Sequence, residues 1–251
     1  MNRKALLIGN SNGLPGVKKD ISRWQYFLTS DIGGKWIFPS EIDVEMNPSK
    51  ISLMSKINML KNRYDFVIVV YSGHGAYSKG TILEINSNEE YVYESDLKGI
   101  APRQISVFDC CRGVVTMQDS IKESSRNLSV KSQFTSNIRQ DYETRIMQAI
   151  PQQVSLYACS IGEYAYDSND GGYYTKNFLK STNLFVDEQR FLTVGMAHQA
   201  GALRTINEVM EKENANQKPD AFLPKCITSQ QLIISINPKY YEQKSSYHLL
   251  Y

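Results

Sequence analysis

Phe66-Val67-Ile68-Val69-Val70-Tyr71-Ser72-Gly73-His74-Gly75 is an apolar run that ends in a glycine-flanked histidine. A continuous apolar run of this length, closed by glycine, reads as a strand buried on both faces. A second run, Ile105-Ser106-Val107-Phe108, leads into Asp109-Cys110-Cys111-Arg112-Gly113. A histidine and a cysteine therefore stand at the ends of two strands. In an open α/β sheet, ligands bind just beyond the carboxyl ends of the strands. A thiol needs a base to become a strong nucleophile near neutral pH, and imidazole is the usual one. The glycines beside each residue let backbone approach a substrate closely.

Outward from these runs the chain alternates strands and helices. Lys4 to Ile8 is a first short strand. From Val17 to Leu28, the spacing of Val17, Ile21, Trp24 and Leu28 predicts one apolar helical face. Ile42, Val44 and Met46 alternate as in a half-buried strand. Asn47 is placed to cap a helix with Pro48 at its first position and Leu53, Ile57 and Leu60 as its stripe. Thr81 to Ile85 and Tyr91 to Tyr93 flank Asn86-Ser87-Asn88, a hairpin turn. Gln104 to Asp109 leads to Cys111, and Val154 to Ala158 is a further strand. Helices are expected from Thr175 to Lys180 and from Gln189 towards Lys212, with Leu232 to Ile236 as a last strand. This order predicts an α/β fold with a mainly parallel central sheet and helices on both faces.

The 251 residues, 41% of them hydrophobic, suit one domain spanning 1–251 with a sizeable core. No apolar run approaches the ~18 residues of a membrane helix. Met-Asn-Arg-Lys runs directly into a strand, so no cleavable signal peptide is expected. Four cysteines, two adjacent, make neither a disulfide framework nor a Cys-x-x-Cys zinc site. A reducing, cytoplasmic compartment suits a free reactive thiol. The net charge of +2 points to neither nucleic acid nor membrane.

Cys111-Arg112-Gly113, with His74 lying 37 residues upstream, resembles the end of the caspase active-site signature, where the separation is typically ~50. Ser72-Gly73-His74-Gly75 matches that family's histidine motif. The likeness begins at Ala5-Leu6-Leu7-Ile8-Gly9-Asn10 and continues through Leu14-Pro15-Gly16. It resumes at Ser155-Leu156-Tyr157-Ala158-Cys159-Ser160 and at Gly171-Gly172-Tyr173-Tyr174-Thr175. The chain resembles the caspase, metacaspase and paracaspase group of cysteine peptidases, and is closest in character to a bacterial metacaspase-like member.

Successive strand side chains point to opposite faces, so only one of Cys110 and Cys111 can face His74 while the strand persists. The resemblance selects Cys111 as the nucleophile and leaves Cys110 in a small-residue slot. It also implies that His74 is the base, and that the backbone N–H groups of Gly75 and Cys111 hold the oxyanion. His198 and His248 lack comparable surroundings. No metal or cofactor enters this chemistry. The calcium-binding carboxylates of many metacaspases have no matching pattern among Glu89, Glu90, Glu94, Asp96 and Asp119.

Substrate choice divides the group. Asp109, two residues before Cys111, follows the metacaspase Asp-x-Cys arrangement. Asp20 closes a Leu-x-Gly-x-x-x-Asp segment whose Asp lines the first specificity pocket in metacaspases, and Asp167 falls near a third such position. Three carboxylates on one pocket favour a guanidinium or ammonium group, hence cleavage of protein or peptide substrates after Arg or Lys. Arg112 instead matches caspases, which cut after Asp, and is expected to point away from the cleft. A ligand- or partner-gated signalling module on the same fold is the reading from another class. If activity is regulated, the trigger is expected to come from a separate partner, a small ligand or processing, and resemblance to bacterial caspase-like peptidases suggests a defence or cell-death role.

The polar stretch from Val114 to about Gln148 reads as a flexible segment, with a helix near Tyr142 to Ile150. Members of the group are cut in the matching region. If the enzyme processes itself, cutting is expected after one of Lys122, Arg126, Lys131, Arg139 or Arg145; the alternative is a surface insertion that is never cut.

Overall fold

A computed structural model describes residues 1–114, 136–186 and 188–241. Strands β1 (Arg3–Gly9), β2 (Ile42–Met46), β3 (Phe66–Ser72), β7 (Arg103–Asp109), β8 (Gln152–Tyr157) and β12 (Asp220–Phe222) form the central sheet. Their order is β12-β8-β7-β3-β1-β2. Every neighbouring pair is parallel except β12 on β8. The remaining strands lie in small antiparallel units. β4 (Gly75–Tyr77), β5 (Thr81–Glu84) and β6 (Tyr91–Tyr93) form one, β9 (Asp167–Ser168) and β10 (Gly171–Gly172) a second, and β11 (Phe191–Thr193) with β13 (Ile233–Ile236) a third. The helices are α1 (Val17–Thr29), α2 (Lys50–Leu60), α3 (Ser136–Gln148), α4 (Tyr173–Ser181) and α5 (Val194–Glu213).

Strand alternation divides the core in two. Ala5 and Leu7, Phe66, Ile68 and Val70, and Ile105 and Val107 enter one cluster, beneath α1, α3, α4 and α5. Leu6 and Ile8, Val67, Val69 and Tyr71, and Phe108 and Cys110 enter the other, with Leu53, Ile57 and Leu60 of α2. Burial on both faces explains why these strands read as continuous apolar runs. On the first side Trp24 is fully buried and stacks on Phe178, ring centroids 5.7 Å apart. An anchor of this kind typically contributes ~3–5 kcal/mol when measured by truncation to Ala.

Four sequence expectations are corrected. Asn47 does not cap α2; it takes a left-handed φ of 48° and its Oδ1 accepts the Ser11 N–H at 2.9 Å. Ser49 is the cap, accepting the Ser52 N–H. The helix expected from Gln189 begins only at Val194, because Phe191–Thr193 pairs as a strand with Ile233–Ile236 and Thr193 then caps α5. The expected last strand is found at Ile233–Ile236 in that separate pair, while one edge of the central sheet is an unexpected antiparallel strand, Asp220–Phe222.

The fourth correction concerns the polar segment. Residues 115–135, with Lys122, Arg126 and Lys131, lie outside the described residues, as does His248. The helix expected near Tyr142 to Ile150 is present, but it runs over Ser136–Gln148 and so begins six residues earlier. Ile138, Tyr142 and Ile146 bury one face of α3 against the sheet. Arg139 pairs with Glu41 and Glu143, and Arg145 donates to the Thr228 and Gln231 carbonyls. Polar composition concealed the first part of this helix because its charged residues are paired rather than solvated.

No helix among the described residues is long and apolar enough to cross a membrane.

Candidate active site

The β3–β7 register ends with Ser72 opposite Asp109, and the Gly73 N–H extends it by donating to the Asp109 carbonyl at 3.1 Å. His74 and Cys111 each lie two residues beyond the last pair, at the carboxyl ends of adjacent central strands. Two glycines permit this approach. A methyl group on Gly73 would lie 2.7 Å from Tyr71 Oη, and one on Gly75 would lie 2.7 Å from Cys110 Sγ and 2.9 Å from the Cys111 carbonyl oxygen. The Gly75 backbone therefore runs directly against the cysteine pair.

His74 is held at three points. Its Nε2 lies 2.6 Å from the Asn12 carbonyl oxygen. A carbonyl only accepts, so this contact puts a ring proton on Nε2 and turns Nδ1 away from Asn12. The His74 carbonyl accepts from the Glu84 N–H at 3.1 Å and from Tyr71 Oη at 2.6 Å. Tyr71 also donates to the Glu84 carbonyl and is completely buried, so the histidine loop rests on a rigid support.

Cys111 is half-buried. Its sulfur accepts the Ala165 N–H at 3.4 Å and faces the Ala165 carbonyl at 3.5 Å. Burial pushes its pKa up; the Ala165 hydrogen bond opposes this, and the Asp109 charge adds to it. The sulfur therefore rests as a thiol and depends on a base for nucleophilicity. Cys110 has the opposite parity and lies in the second core cluster, where burial raises its pKa strongly. Cys159 is also buried, with its pKa pushed up to about 12 by burial and by the Cys111 charge.

Asp20, Asp109 and Asp167 come together, each from a different element. Asp20 is 1% exposed; it accepts from Ser72 Oγ at 3.0 Å and from the Gly172 N–H at 3.0 Å. Asp109 Oδ2 accepts the Thr175 N–H at 2.9 Å. Asp167 accepts the Gly16 N–H at 3.2 Å and its own neighbour's N–H, from Ser168, at 2.8 Å. Thr175 lies in the first turn of α4, whose N–H groups lack helical partners, so Asp109 also neutralises a helix end.

Burial raises the Asp20 pKa well above the carboxylate range; the charges of Asp109 and Asp167 push it further, against the Gly172 and Ser72 hydrogen bonds. Burial raises Asp109 to about 6, opposed by Thr175 and reinforced by Asp167. Asp167 is raised as well, first by burial. Three carboxyl groups under mutual repulsion form a site that a cation would relieve.

Arg112 is buried on the other side of its strand. It stacks on Tyr157 at 3.9 Å, donates to Thr81 Oγ1 at 3.2 Å and to the Cys159 carbonyl at 3.3 Å, and pairs with Asp220 at 3.6 Å. His198 is a core residue: its Nδ1 meets Tyr174 Oη at 2.8 Å, and burial lowers its pKa to about 4.

The chain belongs to the caspase-domain family, whose profile matches residues 2–223. This is a family of cysteine peptidases that act on proteins. The fold is similar to that of caspase-1 from Spodoptera frugiperda, with a TM-score of 0.55 and 9% identity over 88% of this chain and 85% of that one. It is also similar to a solved protein of Geobacter sulfurreducens, with a TM-score of 0.58 and 11% identity over 95% of this chain and 98% of that one. No curated protein matches the chain.

Sequence reasoning missed the Asn12 carbonyl, the Ala165 backbone and the Tyr71 hydroxyl. The first two are main-chain groups, which carry no side-chain signature. Tyr71 reads in sequence as the end of an apolar strand.

Proposed function

We propose that the chain is a cysteine endopeptidase in which Cys111 attacks the scissile carbonyl and His74 is the base, cutting after Arg or Lys. The observation that carries this reading is the common register of His74 and Cys111 beyond adjacent strands, with Nε2 held by Asn12. Neutral His74 takes the thiol proton at Nδ1 as sulfur bonds to carbon, and returns it to the leaving amine. The N–H groups of Gly75 and Cys111 serve the oxyanion, in keeping with the contact between the Gly75 backbone and the cysteine pair. Water then hydrolyses the thioester.

The meeting of Asp20, Asp109 and Asp167 supports a basic residue before the cut, and the burial of Arg112 away from them removes the main feature favouring an acidic one. Peptides matched except for Arg, Lys, Asp or Ala at that position test the proposal. Cleavage after Arg or Lys is expected, and Cys111→Ala and His74→Ala are expected to abolish it without unfolding. Preference for Asp returns the chain to caspase-type specificity. Folded wild type that cleaves none of them, with and without a candidate activator, supports a signalling module instead.

A further inference from the structure

The β9–β10 hairpin supplies two parts of the carboxylate cluster: Asp167 itself and the Gly172 N–H that binds Asp20. Only two pairs of residues close this hairpin, so it needs an outside fastening. Arg23, one turn along α1 from Asp20, reaches its tip. The guanidinium donates to the Asp170 carbonyl and, at 2.7 Å, to the Asp170 carboxylate, with Asp20 Oδ1 at 3.9 Å. A methyl group on Gly171 would lie 2.3 Å from Asp20 Oδ1 and 2.6 Å from Arg23 Nη1, so carboxylate and guanidinium both press on that residue. Lys19 also approaches Asp170, at 3.6 Å, but both side chains are more than half exposed and the contact is weak.

We propose that Arg23 is a positioning residue of the specificity pocket: it fastens the β9–β10 hairpin to α1 and so fixes Asp167 and Asp20 where a substrate cation is bound. This rests on the basic-pocket reading above. One planar guanidinium spans a backbone carbonyl and a carboxylate together, which an ammonium group cannot reproduce. Misplacing a binding group by about 1 Å can cost up to ~100-fold in rate.

The test uses two peptides that differ only in Arg or Ala before the cut. Arg23→Ala and Asp170→Ala are each expected to lower kcat/KM for the Arg peptide by about tenfold, mainly through KM, and for the Ala peptide by less than about threefold. The double variant should be no worse than Arg23→Ala, since Asp170→Ala alone still leaves the backbone carbonyl to Arg23. Arg23→Lys should recover little of the loss. Alkylation of Cys111 by iodoacetamide should stay within about twofold of wild type, because the thiol itself is untouched. Equal losses on both peptides, losses that multiply in the double variant, or an unchanged Arg preference overturn the assignment of Arg23. A wild type without any preference for Arg refutes the basic pocket first, and the role of Arg23 falls with it.

Discussion

Replacing Asp109 by Asn should stabilise the protein while disabling cleavage after Arg. The Asp109 carboxyl is 6% exposed, and its pKa is raised from 3.8 to about 6. That displacement corresponds to about 3 kcal/mol by which the folded state disfavours the charged form at neutral pH. Because the folded pKa lies above the unfolded one, the associated stability is fully present below pH 3.8 and is lost as pH rises towards about 6. Asn carries no charge and keeps an oxygen for the Thr175 N–H. Its removal of negative charge also eases ionisation of Asp20. A net gain of about 2 kcal/mol is expected at pH 8, or roughly 4–8 °C in Tm for a chain of this size. Urea unfolding of both proteins at pH 4 and pH 8 measures it. The gain should be near zero at pH 4 and full at pH 8. A variant less stable than wild type at pH 8, or a difference independent of pH, refutes the argument. Its kcat/KM for an Arg peptide should fall by roughly thirtyfold or more, since removing one charge of a buried pair costs ~2–5 kcal/mol.

Cys110→Ala should keep much of the peptidase activity and lose about 1–2 kcal/mol of stability, as a small core truncation does; turnover surviving in Cys111→Ala contradicts the assignment of Cys111. Tyr71→Phe removes the hydroxyl shared by the His74 and Glu84 carbonyls. It should lower kcat several-fold with KM within about twofold, at about 1–2 kcal/mol of stability; an unchanged kcat shows that the Asn12 and Glu84 contacts suffice to hold His74. If wild type cleaves itself where Cys111→Ala does not, mass spectrometry should find Arg139 and Arg145 uncut, because α3 encloses both and their guanidinium groups are occupied.

The central strands were legible because burial on both faces leaves mainly apolar side chains, and because one central run ended in a glycine-flanked histidine and the other in a cysteine two residues before a glycine. His74, Cys111 and the three aspartates could be named because their chemistry resides in side chains at motif positions. Their convergence could not be read from spacing, since Asp20 and Asp167 reach the cluster through α1 and the hairpin after β8. The edge strand Asp220–Phe222 was invisible because it is three residues long and partly exposed, without alternation. Helix α3 was read only in its later part, from Tyr142, for a different reason: Arg139, Glu143 and Arg145 spend their charge on neighbours, so a packed helix has the composition of a loop. The start of α5 was misplaced because Phe191 and Leu192 fit a helical stripe as well as they fit a strand, and only pairing with Ile233–Ile236 decides between them.

The elevated pKa of Cys111 bears on which chemical probes will find this protein in a mixture. Small untargeted electrophiles react with thiolates, and most cellular thiols will compete for them as well as or better than a half-buried neutral sulfur flanked by Ala165. An electrophile carried on a peptide gains what the free reagent lacks: it is held against the sulfur while His74 accepts the proton in the same step. The ratio of targeted to untargeted labelling should therefore be large for this cysteine. Background modification of the resting protein should be low, which favours reversible warheads such as aldehydes and nitriles on short basic peptides over indiscriminate alkylators.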